Sequence, residues 1–218
     1  MTRPSAGRAI SVGVVILAAG RSARMGQPKL LLPWGGTSVL GHLIDQWVAL
    51  GAKQIAVVWA SVDLGLREEM DRLGLAKENR ISNPAPERGM FSSIQSAAQW
   101  PGWDAALTHR AIVLGDQPHL GPETLRQVLG FSAAHPDKVC QPARRGHGRH
   151  PVLLPETVFR QLAATTAATL KEFLAVQPQA LALCEMDDPG LDLDIDRPED
   201  YHQALGIIGK LRGFDTAG

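Results

Sequence analysis

The chain has 218 residues, 44% of them apolar, with 22 basic and 22 acidic side chains. That length supports a sizeable core in one large domain or two small ones, and the balanced charge gives no global field toward nucleic acid or an anionic membrane. Cys140 and Cys184 have neither metal-ligand spacing nor a disulfide framework, and no segment reaches the roughly 18 apolar residues of a membrane span, so buried thiols in a reducing, cytoplasmic setting are expected.

Residues 1–11 read as an N-terminal extension. Its Arg3 and Arg8 precede an apolar run and mimic a secretory signal, but that run is short and passes straight into a cationic loop, so export is not expected. The run itself, Val12-Gly13-Val14-Val15-Ile16, suits a strand buried on both faces. Small residues at Ala18, Ala19 and Gly20 then leave the backbone uncovered, and Gly20 is expected at positive φ, where successive N–H groups form an anion cradle. Pro28, Pro33, Gly35 and Gly36 delay any helix until about Thr37.

Thr37-Ser38 is expected to cap a helix that Gly51 stops, followed by a strand over Gln54–Trp59. Asp63 caps a helix over Leu64–Leu73, closed by Gly74. Ile81–Asn83 is a short strand, Met90–Trp100 a helix with small polar residues at its start, and Ala111–Leu114 another buried strand. Pro122 and Glu123 open a further helix. Periodicity weakens between Pro136 and Pro155, with strands expected at Lys138–Gln141 and Pro151–Leu154 around a basic, Gly-containing stretch. Helices near Glu156–Ala163 and Ala167–Val176, a strand near Ala180–Glu185 and a helix over Glu199–Ile208 complete a main domain of residues 12–209, before a frayed tail at 210–218. The alternation implies a doubly wound, mostly parallel α/β sheet with a small excursion for a substrate loop.

Several constellations carry chemistry. Arg21, Arg24 and Lys29 lie in the loop after the first strand with no acid between them, which suits a polyphosphate. Lys29 follows Pro28 and precedes Leu30, so this is no Walker A loop, and the segment lacks the G-x-G-x-x-G fingerprint of a dinucleotide site. Asp116 closes a strand at the edge where open α/β sheets bind ligands and offers a hard oxygen to a divalent cation. Asp192, Asp194 and Asp196 alternate, so an extended segment would crowd them on one side unless a cation neutralised them. Asn83 and the Ser92-Ser93 pair can read a base edge. Arg144, Arg145, His147, Arg149 and His150 form a basic loop suited to an anion, whereas His147 and His150 without further ligands are a poor metal pair.

The stretch from Leu17 to Lys29 resembles the signature L-A-(A/G)-G-x-x-x-R-M-G-x-x-K of the MobA-like NTP transferases, a family that includes the molybdenum cofactor transferases. Gly115-Asp116-Gln117-Pro118, the Gly89–Ser93 element, His150-Pro151-Val152-Leu153 and Asp194-Ile195-Asp196-Arg197-Pro198-Glu199-Asp200 resemble its later motifs, with Phe91 and Arg149 standing where the family has small residues. The resemblance implies a single Rossmann-like domain of the nucleotide-diphospho-sugar transferase type, transferring a nucleoside monophosphate from an NTP to a phosphate-bearing acceptor. It assigns nucleotide binding to Leu17, Ala18, Ala19, Gly20, Arg24, Lys29, Asn83, Ser93 and Asp116, and catalysis to Arg24, Lys29 and Asp116. Mg²⁺ would lie on Asp116, Asp194 and Asp196, and the acceptor on Arg149 and His150. The Ala-Ala-Gly form and the Asp-rich end motif resemble the cytidylyltransferase branch, implying CTP and molybdopterin, with a molybdoenzyme receiving the product. GTP, a sugar-phosphate acceptor, or a carrier that binds pterin without turnover are the alternatives.

Overall fold

A computed structural model of the chain describes residues 10–20, 22, 24–177 and 181–211. The expected first strand forms as β1 (Val12–Leu17), with only Leu17 partly exposed. A short ribbon, β2 (Pro33–Trp34) with β3 (Thr37–Ser38), leads into α1 (Val39–Ala49). Ser38 caps that helix, its Oγ accepting the Gly41 N–H at 2.9 Å. Beyond its end Gly51 takes φ +86°, a region that glycine enters without strain. β4 (Gln54–Trp59) and α2 (Leu64–Arg72) follow, with Asp63 accepting the Leu66 N–H as cap.

Next come β5 (Arg80–Ser82), α3 (Met90–Gln99), β6 (His109–Leu114) and α4 (Pro122–Ala134). The weakly periodic stretch becomes β7 (Cys140–Arg144), β8 (His147–Gly148) and β9 (Val152–Pro155). α5 (Glu156–Phe159) continues into a 3-10 turn, and α6 (Leu170–Ala175), β10 (Ala182–Glu185) and α7 (Pro198–Leu211) end the described chain.

Boundaries in this second half differ from expectation. β7 starts two residues late, and α6 starts at Leu170, where the Thr169 side chain accepts the Glu172 N–H. α7 passes the expected domain end at 209, and at the other end Ile10 already packs against the core while the Ser11 N–H donates to Thr108 Oγ1. The described residues thus continue past 12 and 209 on either side. Residues 1–9 and 212–218, and with them most of both expected tails, lie outside the described residues.

Eight strands form one sheet in the order β10-β7-β9-β6-β1-β4-β5, with β8 added on β7. β1 is central and parallel to both β4 and β6. β9 runs antiparallel to β6 and β7, which makes the sheet mixed but mostly parallel. One face is covered through Trp47, Met70, Val128 and Ala204 of α1, α2, α4 and α7. The other is covered through Ile94, Phe159 and Phe173 of α3, α5 and α6. The carboxyl ends of β1, β6 and β7 consequently open on one edge. Among the described residues no helix is long and apolar enough to cross a membrane.

Candidate active site

Leu17 delivers the chain to that edge. The Ala18 N–H donates to the Val58 carbonyl at 2.8 Å, so the loop begins as a continuation of the β1–β4 ladder. Gly20 is not at positive φ, contrary to expectation; a Cβ there would meet nothing within 4 Å. The left-handed positions are Ser22 (φ 46°) and Gly26 (φ 71°). Ser22 closes the loop with both of its oxygens: its carbonyl accepts the Met25 N–H at 3.0 Å and its Oγ accepts the Lys29 N–H at 3.2 Å. Arg21, one of the three expected cations, lies outside the described residues.

Lys29 thereby returns to the strand edge at the start of a 3-10 turn whose Leu30 is buried. The end of β6 comes up against this turn. A Cβ at Gly115 would stand 2.8 Å from both the Leu17 carbonyl oxygen and Leu30 Cδ2, so only glycine allows the two halves to close. Lys29 Nζ then donates to Asp116 Oδ2 at 2.6 Å and lies 3.6 Å from Asp196 Oδ1, while Arg24 pairs with Asp196 Oδ2 at 2.8 Å. Asp116 Oδ1 is buried without a hydrogen-bond partner.

The acidic segment is pinned across the end of β6, where the Ile195 N–H donates to the Asp116 carbonyl at 3.0 Å. It does not present three carboxylates to one side, as its alternation suggested. Asp192 belongs to a 3-10 turn and faces Arg144 and Arg149. Asp194 accepts from Gln117 Nε2 at 2.8 Å; burial and then the charge of Asp116 hold its carboxyl above the usual range. Among the described residues no three His, Cys, Asp or Glu side chains stand close enough to hold a metal ion, so the expected triad of Asp116, Asp194 and Asp196 is not assembled as such. Lys29 lies between two of its members. The chemistry still fits a hard divalent cation: the donors are all oxygens, and Asp116 Oδ1 is left without a partner.

A cleft of about 480 Å³ lies between this loop and the start of α3, lined among others by Ala19, Gly20, Lys29, Met90, Ser93 and Asp116. Leu17 and Ala18 also line it. Asn83 does not. Its Nδ2 donates to Ser92 Oγ and Ser93 Oγ at 2.8 and 2.9 Å, and its Oδ1 accepts the Ala85 N–H at 2.9 Å. With both ends of its amide engaged, Asn83 braces the turn before α3 rather than facing a base. Phe91 points into the core and leaves the cleft's wall to its neighbour Met90, which is 48% exposed.

The basic loop is also different from expectation. His150 is partly buried, its Nδ1 lies 3.3 Å from the Ile112 carbonyl, and burial pushes its pKa down. Arg149 is paired with Asp192, and so is Arg144, which leaves Arg145 and His147 at the exposed hairpin tip. Two positioning side chains, Ser22 and Gln117, were missed by the sequence reading, and Asp192, read there with the acidic run, faces arginines instead. Gln117 had a local signal, since it directly follows the strand-end acid. The partners of Ser22 and Asp192 are fixed only by the closed loop and the β7–β9 excursion.

Residues 14–182, from β1 to the start of β10, match the MobA-like NTP transferase domain. The chain is 25% identical over 199 residues to the molybdenum cofactor cytidylyltransferase of Escherichia coli strain K12, covering 88% of this chain and 94% of that protein. It is 32% identical over 145 residues to the bifunctional protein GlmU of Halorhodospira halophila, covering 63% of this chain but 28% of that protein, and so spans under a third of this relative's length. Among solved structures, Rv0371c of Mycobacterium tuberculosis H37Rv is similar with a TM-score of 0.70 at 26% identity, over 90% of this chain and 98% of that one. The manganese complex of Rv0371c is similar with a TM-score of 0.65 at 24% identity, over the same shares. The sequence match takes in the loop after β1, the cleft and Asp116, and the chain belongs to the MobA-like NTP transferase family.

Proposed function

We propose that the protein transfers CMP from CTP to the phosphate of molybdopterin and releases pyrophosphate. The observation that carries this reading is the pairing of Lys29 with Asp116 at 2.6 Å in a cleft whose wall is the small-residue loop at Leu17–Gly20. A lysine beside an acid with a free buried oxygen can exchange that acid for a triphosphate. The backbone of Ala19 and Gly20, with Lys29 and Arg24, would hold the β- and γ-phosphates; the Ala18 N–H is already bonded to Val58. Ser93 and Met90 would bound the base.

Asp116, with Asp194 or Asp196, would hold Mg²⁺, which supplies charge neutralisation at the α-phosphate when bound. The acceptor would enter from the β7 side, past Arg149 and the loop shaped by His150. An acceptor phosphate oxygen forms a bond to the α-phosphorus while the bond to the bridging oxygen breaks, and pyrophosphate leaves. The side chains contribute position and electrostatics, with no covalent intermediate. Ala19 and the run Asp194-Ile195-Asp196 support CTP over GTP, as does the similarity to the Escherichia coli cytidylyltransferase. Incubation with each NTP, Mg²⁺ and molybdopterin tests the proposal. Pyrophosphate release is expected with CTP; release only with GTP or only with a sugar phosphate reassigns the substrate, and binding of pterin without release from any NTP overturns the enzymatic reading.

A further inference from the structure

Arg144 ends β7 and Arg149 precedes β9, so both stand on the edge that carries Asp116. Both reach a single carboxylate. Asp192 Oδ2 accepts from Arg144 Nη1 at 2.6 Å, and Asp192 Oδ1 accepts from Arg149 Nε and Nη2 at 3.0 and 2.7 Å. The cluster holds more donors than this acceptor can use: Arg144 Nε is buried without a partner. Asp187, 96% exposed, reaches Arg144 only at 3.5 Å and does not make up the difference. The side chains of Arg149 and Asp192 are 32% and 35% exposed, so a solute can reach them.

We propose that Arg144 and Arg149 form a binding site for a tetrahedral oxyanion of the acceptor, and that Asp192 occupies it in the ligand-free protein. This rests on the acceptor side of the function proposed above. A phosphate dianion brings more charge and more acceptor oxygens than a carboxylate, and two guanidinium forks match that geometry. It can engage the donor that Asp192 leaves unused. β9 separates β7 from β6, which places the site about 10 Å along the edge at about 4.8 Å per strand. The site is therefore distinct from the Lys29 position.

The test uses inorganic phosphate as the probe, titrated calorimetrically into the full chain. A Lys29→Met background removes the cation that faces the cleft, so that the Arg144–Arg149 site is read by itself. Asp192→Asn keeps the side chain's shape and removes the competing charge. Phosphate is expected to bind about tenfold tighter to that variant than to its parent, and adding Arg144→Met should cancel the gain. Equal phosphate affinity before and after the Asp192→Asn change overturns the proposal and makes the cluster a structural ion pair. Asp192→Ser gives the same comparison if the Asp192→Asn variant melts early. Titration of the unaltered chain with Mg²⁺ and CTP separates the two readings. Failure to bind CTP removes the proposed function and leaves the phosphate result standing; CTP binding with unchanged phosphate affinity removes only the oxyanion site.

Discussion

The two sides of the carboxyl edge, one proposed for the nucleotide and one for the acceptor, both pair a cation with an acid, but they do so on different foundations. Lys29 and Asp116 are 16% and 21% exposed and sit at the ends of segments joined by the β1–β6 ladder and the close approach at Gly115. Arg149 and Asp192 are twice as exposed or nearly so, on a narrow hairpin and a passing 3-10 turn. The first pair is placed by the centre of the sheet and has little freedom beyond its side chains. The second is held by groups that water and salt screen, and it can rearrange without disturbing a strand.

That contrast breaks first at Lys29. Lys29→Ala should lower turnover about 10²–10³-fold, the loss that follows removal of one preorganised electrostatic contact, and Asp116→Asn should do comparable damage. Near-normal pyrophosphate release from either purified variant would show that the rigid half is not catalytic. The next largest effect is expected at Asn83. Removing its amide leaves two serine hydroxyls and the Ala85 N–H short of a partner, so Asn83→Ala should cost about 1–3 kcal/mol in urea unfolding. A variant of unchanged stability with a raised nucleotide KM would return this residue to base recognition.

On the adaptable side, Arg149→Gly should raise the acceptor KM about tenfold while the NTP KM holds, since one exposed charge-assisted contact is lost. The acceptor KM of the unaltered chain should also climb with salt, and the same KM at low and high salt would sink the electrostatic account of this side. The smallest effect involves protons. Burial pushes the pKa values of His109, His119 and His150 below the ordinary 6.5, so the unfolded chain takes up protons first and stability falls as the pH drops. Between pH 7 and 6 the loss should be about 0.7 kcal/mol per histidine at most. Denaturant midpoints that do not move over this interval would mean that these rings take up protons as readily in the folded chain as in the unfolded one.

The same contrast explains what could be read in advance. Ser38, Asp63, Gly51 and Gly74 act within one turn of their own chain, so composition and spacing reveal them. β1, β4 and β6 are buried on both faces and appear as plain apolar runs. The loop after β1 was legible as a cationic stretch after a strand, yet the turn falls at Ser22 and Gly26 instead of Gly20, because the loop's closure onto Lys29 sets its path. The partners of Asn83 and Arg149 were hidden for one reason: each lies across an element boundary, nine residues on for Asn83 and forty-three for Arg149. β9 hides its role because an antiparallel strand inserted into a parallel sheet follows from the path of its neighbours rather than from its own four residues.

The pairing of β1 with β6 has a consequence for how the chain comes into being. Val12 aligns with His109 and Leu17 with Leu114, so the central ladder joins two segments that lie far apart in the sequence. A chain emerging from the ribosome exposes one edge of β1 until β6 has been made, and closure of so long a loop is slow. Fragments that stop before His109 would display the Leu17–Lys29 loop on an open-edged apolar strand, a surface that recruits other strands. Once β6 docks, it delivers Gly115 and Asp116 to Lys29 in the same event. Maturation of the cleft and pairing of the open β1 edge are therefore one step, and slow release of the nascent chain endangers both together.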